Sequence, residues 1–483
     1  MWWRRVANVW YYKYINMNTK IIFVSVCFLM LSQTVAAQTV DNSTPITSPN
    51  PVLNDTPVLA PKPSLLLAFK KGRDLLYEQM EAESAKKFVP KIVTNKDVSL
   101  EATLAIWDEL TDNITLVRVL KNKKTVDVLS ATDYKIKLKR NNGVNSEFDI
   151  ISAPTAHVVA IRHPIFVSVG TTKRPRYKLE DVVYVPYSDD LATPEVVAEG
   201  MKYLDKNIKA VYGELNNNKI KSRAFPNKLL AEVIDPTVVK SIIAIEHVSA
   251  DTLIRGEADV YLRELFVILA ANQNQAYAFS RSSARAFGLV QFIPNTYQQL
   301  RRIRPDLLLP ADFEQGMSDP YMAIKAEVAL LDHNLELLPK SIRLTYVSDP
   351  KSLGSYLAAI YNGGPSRVRK AISVWGEDWA DDHVAAVNRL KQEEKEIKAE
   401  IIKINKKLKQ KNLDAKTIRG LKQDKSELTA QAQEIASRYN KGTSYSLRKE
   451  TIHYVAKYWL VYDKLADSSY LVKKNNEVAV VSQ

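Results

Sequence analysis

In this 483-residue chain the side chain best placed for acid–base chemistry is Glu246, which ends the apolar run Ser241-Ile-Ile-Ala-Ile-Glu246. A carboxyl that donates a proton near neutral pH must titrate well above its ordinary value of about 4.3. Two effects act in that direction here: desolvation by Ile242, Ile243 and Ile245, and the negative end of a helix that terminates beside the group. The alternative is a surface or capping glutamate. Glu257 and Glu264 are rival acids, but neither follows an apolar helix. The six histidines, His247, His333, His383 and His453 among them, are scattered, with no His-Glu-x-x-His and no paired cysteines, so neither a metal nor a cofactor is expected. There is no Gly-rich phosphate loop.

Further stretches follow Glu246 in a telling order. Residues 282–296 read Ser-Ser-Ala-Arg-Ala-Phe-Gly288-Leu-Val290-Gln291-Phe-Ile-Pro-Asn-Thr, and an Asp319-Pro320 pair opens a later helical run. Then come Ala358-Ala-Ile-Tyr361-Asn362-Gly-Gly-Pro365 and Glu450-Thr451-Ile-His-Tyr454-Val455. Together they resemble the lysozyme-like domain of the lytic transglycosylases, of the soluble-lytic-transglycosylase type. That family shows a helix ending in a catalytic Glu, then Ser-x-x-Gly-Ala-x-Gly-Leu-Met-Gln, an Asp-Pro helix start and Ala-Tyr-Asn-Ala-Gly-Pro. The likeness covers roughly residues 225–383 and 440–463. The family's usual Ser after the Glu is His247 here, a Gly is Arg285, the Met is Val290 and an Ala is Ile360. About 27 extra residues also separate Glu246 from Ser282.

The resemblance implies cleavage of the β-1,4 bond between N-acetylmuramic acid and N-acetylglucosamine in peptidoglycan. Most glycosidases use two carboxyls. The family's reaction instead employs the substrate's own C6 hydroxyl as nucleophile, so one Glu donates a proton and later takes one back, leaving a 1,6-anhydro sugar. It further implies that Ser282 faces the acid, that Gly288, Val290 and Gln291 approach the glycan, and that Tyr361 and Asn362 form a cleft wall where an aromatic hydroxyl can orient the acid. The plainer alternatives are helix-start packing for 288–291 and a structural role for Tyr361. Glu450 is expected to close the helical domain through hydrogen bonds. Two rival functions stay open: a hydrolytic muramidase, with Asp251 or Asp259 as second carboxylate, and an inactive wall-binding scaffold.

The elements that would position these groups are mainly helical from residue 193 to about 465, with a helix over 196–212 and another over 236–247 that Asp235 caps and Pro236 opens. Residues 384–438 repeat apolar positions at three- and four-residue steps, from Val387 and Leu390 through Ile397, Ile401, Ile404 and Leu408. Glu394 is the polar exception, and a break falls at 412–414. This predicts a helical hairpin of coiled-coil type inserted in the catalytic domain, either a solvated arm or a surface for self-association or a helical partner. Upstream, a helix over about 65–88 and β-rich runs at 114–120, 134–138, 157–169 and 182–187 predict a small α+β domain over 64–190.

Residues 1–20 carry Arg4, Arg5, Lys13 and Lys20 without an acid, and an apolar run over 21–31 precedes Val35-Ala-Ala37. This reads as a signal peptide cut near residue 37, shorter than the about 20 apolar residues a membrane span requires. A Pro-, Thr- and Ser-rich linker over 38–63 follows, and 466–483 form a tail. The net charge of +14 becomes +10 once the four basic leader residues are subtracted. In an exported, periplasmic or cell-wall-associated protein such charge suits anionic wall polymers rather than nucleic acid. Cys27 lies in the leader, so the exported part has no thiol. The expected fold is mainly α: a lysozyme-like domain over 191–465 with its inserted hairpin, preceded by the small β-containing domain.

Overall fold

The computed structural model describes residues 64–84, 92–93, 98–168, 174, 176–247, 258–282, 284–345, 349–381, 383–410, 412–442 and 447–467. The expected leader and linker, and the tail from residue 468, lie outside these residues.

The first part is a helix on a sheet. Helix α1 (Leu65–Ser84) precedes the strands β1 (Ile92–Val93), β2 (Leu100–Asp108), β3 (Asn113–Lys121), β4 (Val126–Val128), β5 (Ile136–Arg140), β6 (Glu147–Ile150), β7 (Ala156–Ser168) and β8 (Tyr177–Tyr184). Six of them form an antiparallel sheet in the order β1-β8-β7-β2-β3-β4, while β5 and β6 pair separately. The expected runs became β3, β5, β7 and β8, but the central strand β2 was not foreseen. Leu104, Ala105, Ile106 and Trp107 are all buried, so both faces of β2 are covered and no polar–apolar alternation marks it. Helix α1 packs on β2 and β7.

The second part is helical. Helix α2 (Pro194–Asn217) starts where Thr193 Oγ1 accepts from the Val196 amide and runs a turn beyond the expected end. After the single turn α3 (Leu230–Val233) comes α4 (Pro236–Glu246), whose cap Asp235 accepts from the amides of Thr237 and Val238. Val238, Val239, Ile242, Ile243 and Ile245 are at most 1% exposed, as befits a helix that is apolar on nearly every side. The other helices are α5 (Ala258–Asn272), α6 (Pro294–Ile303), α7 (Phe313–Ser318), α8 (Pro320–Glu336), α9 (Lys340–Thr345), α10 (Pro350–Gly363), α11 (Pro365–Trp375), α12 (His383–Leu408), α13 (Ala415–Gly442) and α14 (Lys449–Ala466). Helices α8, α10 and α14 pack around α4. No helix among the described residues is long and apolar enough to cross a membrane.

Helix α5, within the extra segment after Glu246, is a brace. Leu262, Leu265, Phe266, Val267, Ile268 and Leu269 are buried, and α5 lies along α2. It also meets the sheet. Arg140 on β5 pairs with Glu264 at 2.9 Å, and Asn272 both accepts from the Val185 amide (2.7 Å) and donates to the Val185 carbonyl (2.9 Å). Sheet and helices thus share one continuous apolar core. The rival acid Glu264 is spent on that ion pair, while Asp251 and Glu257 lie outside the described residues.

Helices α12 and α13 pair into the expected hairpin, joined across residues 409–414. Val387, Leu390, Ile397, Ile404, Ala432 and Ile435 are buried between them, and the polar exception Glu394 is satisfied by Tyr439 (3.0 Å) and Lys398 (2.6 Å). At the base, Arg438 donates to the Trp375 carbonyl and pairs with Asp378.

Candidate active site

Glu246 is the last residue of α4 and only partly exposed. Burial pushes its carboxyl up to about 7, a nearby Glu450 adds to the rise, and the bond from Tyr454 and the charge of Lys457 oppose it. The Tyr454 hydroxyl, on α14, donates to Glu246 Oε1 at 2.5 Å. The acid is therefore poised to be protonated or ionised near neutral pH.

His247, where the family has Ser, is well accommodated. Its Nε2–H donates to the Leu289 carbonyl at 2.6 Å, and its ring stacks on Tyr277 with centroids 3.7 Å apart. Burial depresses its pKa to about 4, so the ring is neutral and the bond fixes the tautomer with Nε2 protonated. His247 thereby ties the end of α4 to the Gly288-Leu-Val-Gln291 loop.

That loop is a tight left-handed structure. Arg285, Gly288 and Gln291 have φ of 66°, 77° and 48°. Only Gly tolerates such angles without cost, so Arg285, at the position of a family Gly, is strained. At Gly288 a Cβ would stand 2.1 Å from the Met317 carbonyl oxygen, and no side chain fits. Gln291 turns inward, its Nε2 donating to the Gly288 carbonyl at 2.7 Å. Ser282 is exposed, and its hydroxyl accepts from the Ala286 amide at 3.0 Å, closing the turn rather than bonding the acid.

Tyr361 and Asn362, at the end of α10, meet the same loop and α14. The Tyr361 hydroxyl donates to the Val290 carbonyl at 2.5 Å. The expected aromatic partner of the acid is thus Tyr454 and not Tyr361. Asn362 Oδ1 accepts from Thr451 Oγ1 at 2.9 Å. Thr451 closes the domain here, the part expected of Glu450, which is exposed and makes no hydrogen bond among the described residues. Asp259, one proposed second carboxylate, is 9% exposed and held by Lys464 at 2.5 Å. The sequence signal for Tyr454 is the Glu450-Thr-x-x-Tyr-Val stretch, in which only Glu450 carried an expected role.

Among the described residues no group of His, Cys, Asp and Glu is arranged to hold a metal ion.

Residues 264–381 match the family model of the Transglycosylase SLT domain. The match takes in the loop at 288–291 and the Tyr361-Asn362 pair, and it starts downstream of Glu246. No curated protein and no solved structure matches the chain. Motif order, helical architecture and family match agree: the chain carries a lysozyme-like domain of the lytic transglycosylases.

Proposed function

We propose that the chain cleaves the MurNAc-β-1,4-GlcNAc bond of peptidoglycan without water, forming 1,6-anhydro-MurNAc, with Glu246 as the sole acid and base. An SLT domain supports action of the lytic-transglycosylase kind on peptidoglycan. The single observation behind the finer reading is the Glu246 carboxyl, held near pH 7 at the end of a buried helix with Tyr454 as its bonded partner. Protonated Glu246 gives its proton to the bridging oxygen as the C1–O bond breaks. The C6 hydroxyl of the same muramic acid then closes on C1, and the Glu246 carboxylate takes its proton. Acid and proton inventory are restored in one turnover.

A hydrolytic course would require a carboxylate to activate water. Asp259 is engaged with Lys464, which favours the non-hydrolytic course. The proposed setting is outside the cytoplasm, where this substrate lies.

The test is mass spectrometry of purified peptidoglycan digested by the chain and by Glu246→Gln. Anhydromuropeptides from the wild type alone are expected. Reducing-end products, heavier by one water, would make the protein a muramidase, and glycan binding without any release would make it a scaffold.

A further inference from the structure

Helix α8 carries a second carboxyl, Glu327, that the reaction above does not use. It is 0% exposed, and neither of its carboxyl oxygens has a hydrogen-bond partner among the described residues. Its neighbours along α8, Ala323, Ile324, Ala326, Val328 and Leu331, are buried and apolar. Helix α8 packs against both α4 and α10, the helices that end in Glu246 and Tyr361-Asn362. Glu327 is close enough to feel the charge of Glu246, and Tyr361 and Tyr454 in turn feel that of Glu327.

An ionised carboxylate without a partner is untenable in such surroundings, and the group stays neutral. Burial and the Glu246 charge both hold the Glu327 carboxyl well above the usual carboxylate range. A neutral carboxylic acid has one O–H to donate. A buried polar hydrogen left unused is destabilising, because its desolvation is not offset. Within this cluster the Tyr361 proton is committed to the Val290 carbonyl and the Tyr454 proton to Glu246 Oε1. The acceptor that becomes charged during turnover is Glu246, and a carboxylate has room for more than one donor.

Resting on the reading of Glu246 as the acid, we propose that Glu327 is a positioning residue: a neutral carboxylic acid behind Glu246 whose O–H becomes a second donor to the Glu246 carboxylate once that group has given up its proton. No proton is transferred. The donor stabilises the anion that exists between the two halves of the reaction, beside the bond from Tyr454. The other groups that bear on Glu246 are Glu450 and Lys457 on α14 and Tyr361 on α10, while the neutral ring of His247 is held by the Leu289 carbonyl and Tyr277.

The test is the titration of Glu246 in the full chain, followed by infrared spectroscopy as the difference between each protein and its Glu246→Gln counterpart. Glu327→Gln keeps a neutral donor and is expected to leave the midpoint in place. Glu327→Met keeps the volume but removes the donor, and should raise the midpoint by about one pH unit. No shift with Met, or a fall with either variant, overturns the proposal, since a fall means that an anion has been removed. If the Met variant does not fold, the Gln variant decides. In the Glu246→Gln background, Glu327→Gln must abolish a protonated-acid carbonyl band at neutral pH, and persistence of that spectrum overturns the proposal. The titration is read without substrate. Absence of anhydro product with the shifts intact would thus defeat the reaction and leave the Glu327–Glu246 relation standing.

Discussion

Tyr454 donates its hydroxyl proton to Glu246 Oε1 across 2.5 Å, joining the end of α4 to a helix 208 positions further along the chain. The bond favours the ionised form of the acid, against the burial that favours the neutral one. Tyr454→Phe removes only the donor. The Glu246 pKa should therefore rise above about 7 and the alkaline limb of the pH–rate profile should move up. Activity at the optimum should fall roughly ten- to a hundredfold, the worth of one hydrogen bond to a charged group. An unchanged profile measured on glycan strands would show that Tyr454 does not act on the acid.

Stability should respond to pH through two groups of opposite sign. The folded-state pKa of Glu246 is raised to about 7, so the folded protein holds more protons than the unfolded chain between about 4.5 and 7, and stability falls as pH rises through that window. His247 is depressed to about 4, so stability falls as pH drops from about 6.5 towards 4. Urea unfolding at several pH values should find Glu246→Gln more stable than the wild type at pH 8. The gap should close as both folded and unfolded states protonate the wild-type acid. A constant gap would mean that Glu246 does not titrate between the two states.

Gly288→Ala should be destabilising by on the order of 2 kcal/mol and should abolish activity, because the added carbon meets the Met317 carbonyl and φ is positive. Thermal unfolding together with a glycan-release assay checks both effects. Full activity would show that the loop does not have to hold this shape.

Arg285→Gly should act the other way. The left-handed backbone costs about 1–3 kcal/mol for a residue other than Gly, and the greater freedom of the unfolded chain returns about 0.4–1 kcal/mol of that. A net gain of about 1 kcal/mol in urea unfolding is expected, and a loss would mean that the Arg285 side chain contributes more than its backbone strain.

The extra segment that separates Glu246 from Ser282 carries helix α5 (Ala258–Asn272). The structure makes α5 part of the core. Phe266→Ala should cost about 3–5 kcal/mol, as for other fully buried aromatics, and deletion of 252–275 should unfold the protein rather than open a site. A folded deletion variant, judged by circular dichroism and a cooperative melt, would show that the core does not depend on α5.

Legibility differed between elements for physical reasons. Helix α4 and its cap could be read because Asp235-Pro236 and the apolar run to Glu246 are local signals. The hairpin could be read because its seam repeats along one chain segment. Strand β2 could not, since burial on both faces erases the alternation that distinguishes a strand. Near residue 190, where the sequence suggests a domain boundary, strand gives way to helix, yet Arg140–Glu264 and the Asn272–Val185 bonds join the two sides through distant contacts.

The sequence by itself determined the class of the fold, the order of the motifs and the one glutamate that follows a buried helix, because spacing, caps and apolar runs are properties of neighbouring residues. Which groups meet that glutamate was decided by tertiary structure alone. Packing of α14 and α8 on α4 placed Tyr454 against Glu246 and brought Glu327 near enough to feel its charge, while the Tyr361 hydroxyl on α10 went to the Val290 carbonyl. The acid's pKa follows from that packing, since desolvation and hydrogen bonding depend on what surrounds a carboxyl in space.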